Sequence, residues 1–171
     1  MSMQTYRFRL FIAAMAVHLC LAAPLVRADI SVLERFIGHW DIHAEILRPE
    51  PLKTSYSETY EWVLDGKFVR GKTARKADGN QDIIFGTYDK QTDGFPFWIF
   101  SSSGSYLYLA PAIWHPRELT MEWKNPSGWD VNYHSSCHFP DRDNRSCGLI
   151  MKDWKGKVML EMKWRAVRRT D

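Results

Sequence analysis

From Gly38 to Arg165 the chain alternates apolar and polar positions in about ten short segments, the period of half-buried β-strands. Turn residues punctuate them at Pro49-Glu50-Pro51, Asp65-Gly66, Asp78-Gly79, Asp93-Gly94, Gly104, His115-Pro116, Asn125-Pro126-Ser127-Gly128, Pro140-Asp141 and Lys155-Gly156. Strands are expected near 38–47, 55–64, 67–75, 81–88, 95–102, 105–112, 117–124, 129–138, 146–153 and 157–168. Only Ile30 to Phe36 spaces its apolar residues at helical intervals, which predicts a short helix or turn with Ser31 as its cap. Connections this short make neighbouring strands antiparallel, and a meander of this length removes its exposed edges by closing on itself. The expected fold is all-β, a single up-and-down barrel of about ten strands. A sandwich would need long crossovers that the chain scarcely has.

The hairpin at Asp65-Gly66 assigns the faces, because a two-residue turn sets Leu64 opposite Lys67 and Trp62 opposite Val69. One face then carries Tyr56, Glu58, Tyr60, Trp62, Val69, Gly71, Thr73 and Arg75; the other carries Thr59, Glu61, Val63, Phe68, Arg70 and Lys72. The aromatic face is expected inside, with Glu61 and Arg70 paired outside. Glu58 and Arg75 then point inward on diagonal positions, a buried polar anchor or a structural pair at the barrel mouth. Aromatic parity elsewhere places Trp40 with Ile42, Phe85 with Ile83, Trp98 with Phe100, Trp123 with Met121, Tyr133 with Trp129 and Trp164 with Met162 on the interior. Eight tryptophans exceed what a packed core of this size needs, which points to an apolar cavity.

Residues 1–28 carry Arg7 and Arg9, an apolar stretch from Leu10 to Val26, and Val26-Arg27-Ala28 before Asp29. This is the order of a secretory signal peptide cleaved after Ala28, leaving a barrel domain over 29–171. His18 and Pro24 interrupt the stretch, and it falls short of the roughly 20 apolar residues of a membrane span. Leu19 before Cys20 argues against lipidation. The leader takes three arginines and no acids from a total of 23 basic and 20 acidic residues, so the mature chain has 20 of each. The whole-chain basicity therefore belongs to the leader, and nucleic acid is not an expected partner. Cys137 and Cys147 remain and are expected to form a disulfide in a periplasmic or secreted protein without a stable membrane anchor.

Reaction chemistry finds little support in the pattern. His39 and His43 oppose Trp40 and Ile42 in parity, and His115 lies in a turn. His134 and His138 share a parity without a supporting carboxylate, so no metal site is expected. Ser101, Ser102, Ser103 and Ser105 around Gly104 have turn composition and lack a nucleophile elbow. Glu58 could serve as a general base if burial raised its pKa.

Gly38-His39-Trp40 resembles the Gly-X-Trp that opens the first strand of lipocalin-like, or calycin, barrels. The order Leu64-Asp65-Gly66-Lys67-Phe68-Val69, Gly86-Thr87-Tyr88-Asp89, Thr92-Asp93-Gly94 and Trp98-Ile99-Phe100-Ser101 is similar to a bacterial lipocalin-like family of unassigned function. The resemblance implies an internal pocket and an arginine, here Arg165, packed over Trp40 to close the barrel. It also implies no haem, since no histidine follows His138, and no other cofactor is expected. Pro140 to Arg145 is an elaboration on the pattern. The expected function is binding or carrying a small apolar or amphiphilic molecule, with Trp40, Glu58, Tyr60, Trp62, Arg75, Trp98, Trp123 and Tyr133 as the site. The alternatives are a barrel enzyme with Glu58 as base and a filled structural or interaction module of the cell envelope.

Overall fold

The computed structural model describes residues 29–125 and 131–170; the expected leader, Trp129 and the Pro126-Ser127-Gly128 turn lie outside the described residues. Ten strands form one closed antiparallel barrel: β1 (Gly38–Arg48), β2 (Leu52–Val63), β3 (Phe68–Thr73), β4 (Asp82–Gly86), β5 (Phe95–Ser101), β6 (Tyr106–His115), β7 (Thr120–Lys124), β8 (Val131–His138), β9 (Asn144–Asp153) and β10 (Val158–Arg168). Each strand pairs with the next, and β1 pairs with β10 along Trp40↔Arg168 to Arg48↔Glu161. The meander therefore has no free edge.

The β2–β3 hairpin follows the expected register, with Trp62 opposite Val69 and Glu61 opposite Arg70. Leu64, Asp65 and Gly66 take φ of 51°, 56° and 74°, the left-handed turn that Asp-Gly favours. Glu61 and Arg70 form an ion pair on the outer surface. Inside, Gly71 faces Tyr60 so closely that a Cβ would lie 2.4 Å from its ring, and Gly86 accommodates Phe97 in the same way at 2.6 Å. These two strand glycines make room for aromatic rings. Pro111 sits where β6 shifts register against β5, a bulge position at which its missing N–H is tolerated.

A short 3-10 helix (Ile30–Arg35) precedes β1 and plugs the end of the barrel where β1 begins. Its cap is Asp29, whose carboxylate accepts the Ser31 N–H at 2.8 Å, and not Ser31 as the pattern predicts. An aspartate one residue before the helix already satisfies the orphan donor. Leu33 is fully buried, and Phe36 packs on Tyr60, Phe97 and Phe139 at ring separations of 5.7, 5.5 and 5.2 Å. The Trp40 indole donates to the Phe36 carbonyl at 2.6 Å. The opposite end is bounded by the connections 49–51, 74–81, 102–105 and 154–157.

The β10 arginine over Trp40 is Arg168, not Arg165. Arg168 lies directly opposite Trp40 in the β1–β10 register, with its guanidinium 4.3 Å from the ring centre. It donates to the Ile37 and Arg142 carbonyls, tying helix, seam and β8–β9 turn together. Arg165 pairs with His43 and is exposed, since odd positions of β10 face outward. Parity also differs from expectation on β4 and β5. Ile84, Gly86, Phe95 and Phe97 face inward, so Ile83, Phe85, Trp98 and Phe100 form an outer aromatic surface with Tyr106 and Tyr108.

Candidate functional site

The interior is not filled. A cavity of about 240 Å³ lies above the Phe36 plug, with Ile84, Phe97, Ile99, Leu107, Leu109, Leu149, Met162 and Trp164 supplying much of its apolar wall. Trp123 and the Cys137–Cys147 disulfide complete that wall. The two cysteines are directly opposed on β8 and β9, with Cα atoms 4.1 Å apart, and both side chains are buried.

The polar part of the wall comes from β2, β3, β4, β8 and β9 and from Lys76 in the β3–β4 connection. Glu58 accepts a charge-assisted bond from Arg145 at 2.5 Å, and the two side chains are 8% and 2% exposed. The expected partner, Arg75, lies beyond the end of β3, is exposed, and donates to the Gly79 carbonyl at 2.5 Å. Thr73 is the residue opposite Glu58. The strand stops two residues before Arg75, so alternation no longer directs that side chain.

Arg145, like Lys76 and Asp82, is a charged cavity-lining residue that the sequence reading missed. Arg145 enters β9 on the same parity as Cys147, Leu149 and Met151, and the rings of Trp40, Phe36 and Tyr60 surround its guanidinium at 4.7, 5.1 and 5.1 Å. These aromatic faces stabilise the cation where water does not. A strand beginning two residues earlier, with Arg145 in step with Cys147, would have exposed the signal. Nearer the open end, Lys76 holds Asp82 at 2.7 Å, with side chains 24% and 16% exposed, and the Asp82 N–H donates to Thr73 Oγ1 at 2.8 Å.

Among the described residues, four buried side-chain atoms lack a hydrogen-bond partner: Arg145 Nε, Arg145 Nη1, Trp123 Nε1 and Asp82 Oδ1. All belong to residues that line this one cavity. An unsatisfied buried polar atom costs about 1–3 kcal/mol, so unmet hydrogen-bonding capacity is concentrated in residues of this wall. Burial also raises the Glu58 pKa; Arg145 and a hydrogen bond from Tyr60 oppose that shift, and the Asp82 charge adds to it. Burial and the Glu58 charge push the Tyr56 and Tyr60 phenols up, so both stay protonated donors.

The other expected site residues are distributed as follows. Tyr60 and Trp123 line the cavity with Glu58. Trp40 is buried against Arg145 and Arg168. Tyr133 is a core residue whose hydroxyl accepts the Ala110 N–H at 2.6 Å. Trp62 lines a second hollow of about 610 Å³ at the plugged end, with Arg35, Arg142 and Arg168. Trp98 packs on Tyr108 at 5.5 Å on the outer face. His134 and His138 are exposed; His134 meets Glu122 at 2.7 Å and His138 meets the Glu118 carbonyl at 2.9 Å. Among the described residues no group of three or more metal-ligating side chains gathers. No helix among them is long and apolar enough to cross a membrane.

The sequence matches no protein-family model and no curated protein. Its structure is similar to several solved ones. The S-type phycobiliprotein lyase CPES from Guillardia theta superposes with a TM-score of 0.53 at 12% identity, covering 82% of this chain and 92% of that one. Rv2717c from M. tuberculosis gives 0.59 at 14% identity, covering 84% of this chain and all of that one. A protein of unknown function from the DUF3598 family of Nostoc punctiforme gives 0.50 at 11% identity, over 87% of this chain and 53% of that one. At these identities the likeness is one of fold, a lipocalin-like barrel.

Proposed function

We propose that this chain is an exported lipocalin-like barrel that binds or carries a small, largely apolar molecule in its interior. The observation that carries the reading is the convergence of every unpartnered buried side-chain atom among the described residues on one mostly apolar cavity. Few polar groups on an apolar wall is the usual chemistry of a small-molecule site. An engineered cavity of about 150 Å³ takes up benzene, so about 240 Å³ suits a molecule somewhat larger. One structural neighbour carries a named activity, phycobiliprotein lyase, which supports a working barrel over a filled shell. Export rests on the leader pattern, and the disulfide is compatible with it.

The test is binding of an apolar fluorescent probe to the mature protein, together with native mass spectrometry of protein taken from its own compartment. The outer aromatic surface could also take up such a probe. Leu149→Phe, which narrows the cavity and leaves that surface intact, separates the two. Interior binding is lost in this variant; unchanged binding together with empty native protein would overturn the carrier reading. A second reading, an enzyme with Glu58 as general base, draws on the raised pKa of a carboxyl that lines the cavity. Turnover abolished by Glu58→Gln, with ligand binding retained, would favour it.

A further inference from the structure

The charges that line the cavity are Glu58, Arg145, Lys76 and Asp82. They form two pairs, Glu58 with Arg145 at 2.5 Å and Lys76 with Asp82 at 2.7 Å, and each pair is neutral within itself. Both pairs also retain unused capacity. Arg145 keeps two nitrogens without a partner, Asp82 keeps one oxygen, and the Trp123 indole N–H is buried and unpaired in the same wall. Residues of the wall thus hold unused donors at Arg145 and Trp123 and an unused acceptor at Asp82, and their charges cancel in pairs.

We infer that the ligand of this cavity is an uncharged molecule joining an apolar body to a hydrogen-bonding head, whose acceptor meets Arg145 and Trp123 and whose donor meets Asp82. The inference rests on the binding reading above and narrows it to a class: neutral amides, and compounds of like polarity, over carboxylates or amines of the same shape. A carboxylate would bring a third negative charge beside Glu58 and Asp82, and an ammonium a third positive charge beside Arg145 and Lys76. Neither would find a free counter-charge, and a buried ion without one forfeits its hydration. A neutral amide satisfies orphaned donors and acceptor together and introduces no charge.

The experiment measures displacement of an apolar fluorescent probe from the mature protein by octanamide, octanoate, octylammonium and octane at mildly alkaline pH. Octanamide is expected to bind about tenfold or more tightly than either ion, since desolvating an uncompensated charge outweighs one added hydrogen bond. Trp123→Phe should weaken octanamide roughly fivefold, the worth of one net hydrogen bond, and leave octane unchanged. Asp82→Asn leaves Lys76 uncompensated, so octanoate should gain on octanamide; Lys76→Met does the reverse and favours octylammonium. Thermal melts identify any variant that fails to fold, and the Asp82 and Lys76 variants make opposite predictions, so one suffices. Octanoate or octylammonium binding as tightly as octanamide to the wild type, or no exchange of preference in a folded Asp82 or Lys76 variant, would overturn the charge-balance inference while leaving the carrier reading intact. Binding of none of the four removes both.

Discussion

At the scale of single residues, the Glu58–Arg145 pair concentrates the energetic risk of the fold. Arg145→Met strands a buried carboxylate and should cost about 3–5 kcal/mol in urea unfolding, whereas Glu58→Gln together with Arg145→Met should cost less than the two single changes summed. Additive losses would mean that the side chains do not act as a pair. The pH dependence has a definite sign. Because burial raises the Glu58 pKa above 4.5, the folded state holds this proton more tightly than the unfolded chain does. That contribution is complete below about pH 4.5 and is lost as pH rises through the raised value. Asp41, Glu45 and Glu122 act oppositely: hydrogen bonds from Arg169, Lys163 and Lys124 lower their pKa values, and their contributions disappear as pH falls through those lowered values. Melting temperature against pH should therefore fall on both sides of a maximum, and Glu58→Gln should flatten only the alkaline side. Gly71→Ala drives a methyl into the Tyr60 ring and should cost about 1–3 kcal/mol by overpacking.

At the scale of elements, alternation was legible wherever one face is apolar and the other charged. The β2–β3 hairpin meets that condition, with Tyr56, Glu58, Tyr60 and Trp62 opposed to Thr59 and Glu61, and its register follows from the turn. On β4 and β5 both faces are apolar, so side-chain size misleads: Trp98 and Phe100 outrank Phe97 and Ile99 in bulk yet lie outside. The glycine at Gly86 held the better clue, because only a strand position facing a neighbouring ring needs it. Arg165 was excluded as the closing residue by its own neighbour, since Trp164 and Arg165 cannot share a face. Arg145 was hidden by a strand boundary placed too late, behind a segment rich in turn residues. The Cys137–Cys147 link, by contrast, was expected from the leader pattern and the lack of a metal-ligand cysteine spacing. Replacing both cysteines with serine should lower stability by about 2–3 kcal/mol in the chain-entropy account of so short a loop. An unchanged urea midpoint would remove the bridge as a stabilising element.

At the scale of the molecule, strand count, antiparallel order and closure were readable because short connections leave a ten-strand meander few alternatives. A cavity was expected but its lining was not readable, because it depends on which rings withdraw to the outside and on an arginine contributed from a remote strand. Cleavage after Ala28 would leave Asp29, the cap of the plugging helix, as the first residue of the mature protein. Intact mass of protein from the producing cell should match a chain beginning there, and a start beyond Leu33 would contradict it by deleting the plug. The seam has a consequence in time. β1 finds one neighbour in β2 at once, but its other neighbour is β10, the last of the ten barrel strands to be made. Until β10 is present, a folding chain keeps an open sheet and an unsealed core, so closure is a long-range event with a slow rate. If the chain is exported as proposed, this delay is an advantage: the barrel withholds its most stable state until β10 has been made.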